Sequence, residues 1–408
     1  MAIDITSPAY KANPWPACAH ARAEGPVVRV PLPNMHIPGG AQDAYLVTRY
    51  EDAIAVLKDE RFVKDVRSAR PRAERGQPWI PKSLKPLGRN MLDLDGADHR
   101  RLRNLVRDTF TPRYIAQLEP RVQALADELL DGMAAAGRAD LVADYALILP
   151  LTVIAEIMGV SPRDRMRFRR WVSRLFLTSN AARPQLAMLL MLPSALAMMR
   201  FLRRLIAERR ARPRDDLVSR LAAMEEDGDR LDEDELLAMV AILLIAGYET
   251  TVNLIATGTL LLLTHPDQLA RLRADPDLIG SSVEELLRLA TPVDVATERY
   301  ASADLEVGGV TIPRGALVLV GIASANADEA HFARPECLDV GRAENRHLAF
   351  GQGPHYCLGA PLARLEGRIA LGSLVRRFPD LRLDSPPERL QWRPGLTLRG
   401  LQSLPVRL

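Results

Sequence analysis

The chain has 408 residues, 48% of them hydrophobic and 26% charged, which suits a globular protein and is too apolar for a disordered one. A formal net charge of only +3 argues against a general polyanion binder, and no nucleic-acid partner is expected. The three cysteines (Cys18, Cys337, Cys357) are odd in number, far apart and without a C-x-x-C pair, which argues against a disulfide framework or structural zinc and for a reduced, cytoplasmic setting.

Taken in chain order, the sequence predicts a helix over residues 17–24, stopped by Gly25, then strands over 27–30 and 44–48 joined by a Pro/Gly-rich turn. Helical periodicity then dominates, over 51–59, 99–109, 120–136 and 145–158. Methionine and leucine fill 186–202, where Pro193 is expected to break the run into two helices. The most apolar stretch, 236–263, approaches the length of a membrane span. Glu249, Thr250, Thr251 and Asn253 interrupt it, so it is expected to be a long helix buried in protein, capped by Asp232, and not a membrane span. Late strand signatures fall at 305–307, 310–312 and 316–322, with a Gly308-Gly309 turn between the first two, and a final helix runs from after Cys357 to about Phe378. No repeat or linker divides the chain, and its first residues, with Asp4 and no apolar stretch, are unlike a signal peptide. The expectation is one domain over 1–408, mainly α with a small β subdomain.

The segment Phe350-Gly351-Gln352-Gly353-Pro354-His355-Tyr356-Cys357-Leu358-Gly359 places a cysteine at the entrance of the last helix, behind a glycine-rich loop. A helix N-terminus favours the thiolate through its dipole and unpaired N–H groups. Glycines let the backbone approach a flat ligand. By itself, a lone cysteine is more often a small buried hydrophobe. Gly351 and Gly353 also fit the start of a dinucleotide fingerprint, but Tyr356 stands where its third glycine belongs. The C-x-x-C-H of covalent haem attachment is absent.

Further patterns carry charge. Glu285 and Arg288 lie i, i+3 on one helix face, and His99 and Arg103 lie i, i+4 on another. Glu249, Thr250 and Thr251 sit inside the apolar helix, where polar groups need a partner or a purpose. A threonine there can bond back to the carbonyl four residues earlier, Ala246 for Thr250. Gly247 removes a side chain where a ligand could approach.

Together these segments resemble the cytochrome P450 family, whose signature F-G-x-G-x-H-x-C-x-G is matched at every fixed position from Phe350 to Gly359. Glu285–Arg288 matches its E-x-x-R, and His99–Arg103 matches its H-x-x-x-R. The resemblance implies the cytochrome P450 fold, with haem b (iron protoporphyrin IX), Cys357 as axial ligand of the iron and dioxygen as co-substrate. It implies that His99, Arg103, Arg299 and His355 hold the haem propionates, and that Ala246, Phe350, Gly351 and Gly359 border the cofactor. Glu285, Arg288 and Arg342 become a buried structural network. Glu249 and Thr250 become the proton-handling pair of an oxygen-binding groove. By position, Met91, Leu92, Ile242, Ile245, Val293, Asp294, Val295 and Thr397 become the substrate lining. That set is mainly apolar and suits a lipophilic molecule, with Asp294 meeting a substrate hydroxyl or amine, or satisfying backbone.

The activity so implied is insertion of one atom of dioxygen, by hydroxylation or epoxidation. A monomer would receive electrons from NAD(P)H through ferredoxin reductase and ferredoxin. Residues 248–255 and 292–297 look most like actinobacterial polyketide and macrolide hydroxylases, with a fatty acid, terpenoid or steroid-like substrate as the alternative. A non-catalytic haem sensor, or a haem enzyme working without reductant, is the competing reading, against which the Glu249–Thr250 pair argues. Arg100, Arg101, Arg107, Arg113, Arg346, Arg364 and Arg368 are expected to form a basic face for an acidic ferredoxin. The basic run Lys64, Arg67, Arg70, Arg72, Arg75, Lys82, Lys85 and Arg89 is read as a solvated loop or as a recruiter of an acidic substrate or carrier.

Overall fold

The helix that carries the polar trio runs Glu233–Thr264 and is the axis of the molecule. Asp232 starts it with a capping box: its carboxylate accepts from the Glu235 N–H while the Glu235 carboxylate accepts from the Asp232 N–H. The computed structural model describes residues 3–32, 43–70, 81–107, 110–179, 184–226 and 229–408. Helices Ile148–Ile157, Pro184–Ala211, Ile279–Ala290 and Ala360–Arg377 pack around the central one. By length and composition the central helix could cross a membrane, yet 61% of its most apolar window is buried within the protein. It is a core helix.

Strands from both ends of the chain build the β part. A five-stranded sheet runs in the order Val27–Pro31, Asp43–Val47, Leu317–Val320, Arg299–Ala301, Phe62–Val63. Only the pairing of Asp43–Val47 with Leu317–Val320 is parallel. The predicted hairpin is present as Leu305–Val307 and Val310–Ile312, and both turn glycines have positive φ. A smaller sheet joins Arg138–Asp140, Pro405–Arg407 and Arg382–Leu383.

Two helix expectations need correction. Pro193 does not break its run, since Pro184–Ala211 is one helix with the proline inside. Proline removes an N–H and crowds the preceding turn, but packing against Pro162–Ser179 and the central helix carries the helix through. The helix predicted over 145–158 is preceded by a π turn, Val142–Ala146, and continues as Ile148–Ile157.

The Glu285–Arg288 pair is an interior joint. Arg288 donates to both carboxylate oxygens of Glu285 at 2.8 Å, and both side chains are fully buried. Arg342 Nε and Asn345 Nδ2 each add a bond to the same carboxylate at 3.0 Å. Arg288 also donates to the Asn326 and Pro335 carbonyls. Glu285, Arg288 and Arg342 therefore hold the irregular 326–345 segment, a buried charged group satisfied on all sides.

Three members of the basic run have partners, although Arg67 stays exposed. Lys64 donates to the Glu298 carbonyl at 2.7 Å, Arg67 pairs with Asp65, and Arg70 donates to the Gly315 carbonyl at 2.7 Å. Arg72 and Arg75 lie outside the described residues, as do the side chains of Lys82 and Arg89.

Candidate active site

The central helix is buried on either side of one opening. Leu236–Ala241 and Thr251–Leu260 are buried, whereas Ile245 and Ala246 are exposed and Ile242, Glu249 and Thr250 are half-exposed. The spacing i, i+3, i+4, i+7, i+8 puts these five on one face. An accessible strip in the middle of a core helix means that it borders an internal hollow. Gly247 lies off this face, against Ile154, where a Cβ would make contact at 3.4 Å. Ala246 is the small residue on the open side.

The Cys357 loop is held by its own backbone. The Cys357 N–H donates to the Phe350 carbonyl at 2.9 Å, closing the turn. Gly353 has φ +72°, and a Cβ there would come within 2.6 Å of the Leu57 carbonyl oxygen, so only glycine fits. The Phe350 ring packs under the Arg364 guanidinium, 4.5 Å from the centroid. The Cys357 thiol is accessible although protein surrounds it. Burial pushes its pKa up, while the Gly359 N–H and the charges of Arg103 and Arg364 pull it down.

Beside the thiol lies a cluster of basic groups. Arg103 donates to the Tyr356 carbonyl at 2.7 Å, and the His99 and His355 rings stand 4.1 Å apart. His99, Arg299 and His355 line one small cavity of about 30 Å³. Burial, then His99, Lys64, Arg299 and Arg103, drive the His355 pKa down to about 2, and burial lowers Arg299 to about 10. His99 Nε2 is buried without a hydrogen-bond partner. Two guanidiniums, two imidazoles kept neutral by burial and nearby positive charge, and an orphaned ring nitrogen beside an accessible thiol fit a group that brings carboxylates and a metal. Haem, with two propionates and iron, is such a group.

Glu249 is the acid on the open helix face. Burial raises its pKa to about 8, opposed by Arg393. Thr250 Oγ1 donates to the Ala246 carbonyl at 3.1 Å, the intrahelical bond expected of a threonine, which leaves its lone pairs toward the hollow as acceptors. The sequence reading missed Glu366. It is 1% exposed on the Ala360–Arg377 helix, and both carboxyl oxygens lack a well-aligned hydrogen bond. The nearby Thr251 hydroxyl eases its ionisation only slightly, and burial holds its pKa at about 8. A lone acid between Leu365 and Gly367 on the buried side of the helix was the available signal.

Two lining assignments fail. Asp294 is sealed from the hollow, its carboxylate bonded to Lys11 Nζ at 2.6 Å and both side chains fully buried. Val295 is 0% exposed in the β-side core with Leu319, Ala323 and Leu396. Val293 and Thr397 remain half-exposed and adjacent, through the Asp294 N–H to Thr397 carbonyl bond of 3.1 Å and a Val293–Leu398 bridge. Met91 and Leu92 are half-exposed, Met91 packing on the helical core. The basic face also shrinks, because Arg101 pairs with Glu235, Arg100 with Glu60 and Arg364 with Glu284. Arg107, Arg113, Arg346 and Arg368 stay exposed.

A family model described as Cytochrome P450 matches residues 39–400. The chain belongs to the cytochrome P450 family. It is 41% identical over 397 residues to the polyketide biosynthesis cytochrome P450 PksS of Bacillus subtilis (strain 168), covering 97% of this chain and 96% of that one. The solved structure of PksS superposes with a TM-score of 0.90 over 100% of this chain and 99% of that one, at 39% identity. Identity to the cytochrome P450 monooxygenase PikC of Streptomyces venezuelae is 44% over 401 residues, 98% of this chain and 92% of the other. P450BioI, solved in complex with a hexadec-9Z-enoic acid ligated acyl carrier protein, gives a TM-score of 0.87 at 36% identity over 98% and 100% of the two chains. This P450 is thus a monooxygenase by family, with relatives in polyketide metabolism.

Proposed function

We propose that this P450 hydroxylates or epoxidises a lipophilic secondary metabolite of the polyketide or macrolide class. Electrons would come from NAD(P)H through a ferredoxin reductase and a ferredoxin. The observation that carries the reading is the single open face of the central helix, where Ile242, Ile245 and Ala246 stand beside Glu249 and Thr250. It joins an apolar wall to a proton-bearing pair. Haem b, when bound, supplies the iron centre at which dioxygen is activated.

The residues supply the rest. Cys357 Sγ binds the iron as thiolate, and Arg103 and Arg364 offset its charge. His99, Arg103, Arg299 and His355 bind the propionates, whose negative charge the two guanidiniums offset. Ala246, Phe350, Gly351 and Gly359 border the ring. Glu249 holds a proton at its carboxyl, and Thr250 Oγ1 accepts a hydrogen bond from the hollow side. Met91, Leu92, Ile242, Ile245, Val293 and Thr397 exclude water and orient the substrate. Arg107, Arg113, Arg346 and Arg368 are the exposed charges that would meet an acidic ferredoxin.

A fatty acyl substrate is the second reading, favoured by the likeness to P450BioI with its acyl carrier protein. Purified protein, reduced under carbon monoxide, should absorb near about 450 nm, the mark of an anionic sulfur ligand. Screening polyketides, macrolides and fatty acids by haem Soret shift, then following labelled dioxygen into product, tests the substrate class. An imidazole-like spectrum, or no haem, would overturn the assignment.

Arg299→Leu should speed haem loss roughly tenfold to a hundredfold, from losing a charged hydrogen bond worth about 1.5–3 kcal/mol. Haem transfer to excess apomyoglobin measures it. An unchanged rate would remove Arg299 from the propionate set.

A further inference from the structure

The group that seals Asp294 comes from the far end of the chain. Lys11, on the N-terminal helix Pro8–Ala12, sends its ammonium inward to Asp294 Oδ2 at 2.6 Å and to the Leu396 carbonyl at 3.2 Å. The buried Arg399 guanidinium donates to the Lys11 carbonyl and to the Ala290 carbonyl, each at 2.7 Å. Asp294 itself bonds through its N–H to the Thr397 carbonyl and through its carbonyl to the Ala323 N–H. One lysine thereby ties two irregular segments, 291–297 and 393–400. Those segments carry Val293 and Thr397.

A buried ion pair is weak evidence of stability. Well-packed apolar residues of similar volume often serve as well, whereas removing one partner strands a charge. What this pair adds beyond packing is position: it fixes two loops against each other where no regular ladder joins them beyond the Val293–Leu398 bridge. Asp294 follows Val293 directly in the chain, and its carboxylate, N–H and carbonyl are all tied down. Pinning Asp294 on the sealed side therefore sets where Val293 stands on the open side.

We propose that Lys11 and Asp294 are positioning residues for substrate selection, the N-terminal segment setting the separation of the Val293 and Thr397 walls. This rests on the reading that those two residues line the substrate cavity. Neither Lys11 nor Asp294 would touch substrate.

The test uses haem-loaded full-length protein and two nitrogen ligands of the iron, small 4-phenylimidazole and bulky ketoconazole, titrated by Soret shift. Asp294→Asn is isosteric, and Lys11, whose basicity burial already lowers, can shed its proton and remain buried. Asp294→Asn and Lys11→Met should each change the ketoconazole Kd by about tenfold and leave that of 4-phenylimidazole within about twofold, because the pair acts only through the Val293 wall that a bulky ligand reaches. The double variant K11M/D294L, which removes both partners of the pair and leaves the buried Arg399 on its backbone carbonyls, should bring the ketoconazole Kd back to within about threefold of wild type. Should K11M lose its haem, D294N and the double variant decide. Val293→Phe narrows the cavity directly. If it shifts ketoconazole binding while D294N and the double variant behave as wild type, the pair has no positioning role and the lining assignment stands. If Val293→Phe is also silent, the lining assignment falls and the proposal falls with it. Equal weakening of both ligands in D294N would mean general loosening and would also overturn it.

Discussion

Replacing Cys357 with histidine should abolish the absorbance near about 450 nm in the reduced carbon monoxide complex, and product formation with it. The other two cysteines make the test selective. Cys18 is buried beside the Tyr10 hydroxyl, and burial pushes its pKa up to about 11. Cys337 lies on the segment whose carbonyls receive Arg288 and Arg342. Cys357 is the exposed one, Cys337 being half-buried, and it follows a closed glycine-rich turn and feels two guanidinium charges that favour its anion. Histidine at 357 can still bind iron, so the variant should keep haem. It would place a neutral nitrogen where an anionic sulfur donates electron density, and that donation favours cleavage of the O–O bond. Cys18→Ala and Cys337→Ala should keep the band. Loss of the band in either, or its survival in Cys357→His, would overturn the ligand assignment.

What the sequence made legible was local. The Asp232 cap, the Glu249–Thr250 position, the Gly308-Gly309 hairpin and the turn before Cys357 depend on residues within a few positions of each other. What it hid depends on partners far along the chain. Nothing near Asp294 announces Lys11, 283 positions away, or shows that its carboxylate faces a sealed pocket. Arg101 reads as a surface charge until Glu235, 134 positions on, is found beside it. Gly247 looks like room for a ligand until Ile154 is seen against it. Pro193 illustrates the same limit from the other side, a strong local signal overruled by helix packing. Glu366 was hidden by its surroundings, since an acid in a mixed helix reads as solvated until its own face proves to be buried.

The Glu249–Thr250 pair carries the second large expected effect. Thr250 Oγ1 has its own proton committed to the Ala246 carbonyl, so on the hollow side it can only accept. Its partner Glu249, with a pKa raised by burial to about 8, is mostly protonated at neutral pH and can give a proton up. Positioned proton transfer typically contributes about a hundredfold to ten-thousandfold. Losing one buried methyl costs far less, about 1 kcal/mol. Thr250→Ala should therefore bind substrate with an unchanged Soret shift and keep consuming NAD(P)H. Product per NAD(P)H should fall sharply, with hydrogen peroxide appearing in its place. Glu249 adds a pH signature. If its acid form is required, turnover should hold steady below about pH 8 and decline as pH rises through the carboxyl's pKa. Glu249→Gln should lower the plateau and remove that alkaline decline, because the amide does not titrate. The measurements are product and peroxide per NAD(P)H and the pH profile of kcat. Normal coupling in Thr250→Ala would leave that hydroxyl only its bond to Ala246. An alkaline limb that survives in Glu249→Gln would move the titrating acid elsewhere, and Glu366, the other carboxyl held near 8 beside Thr251, would be the next to replace.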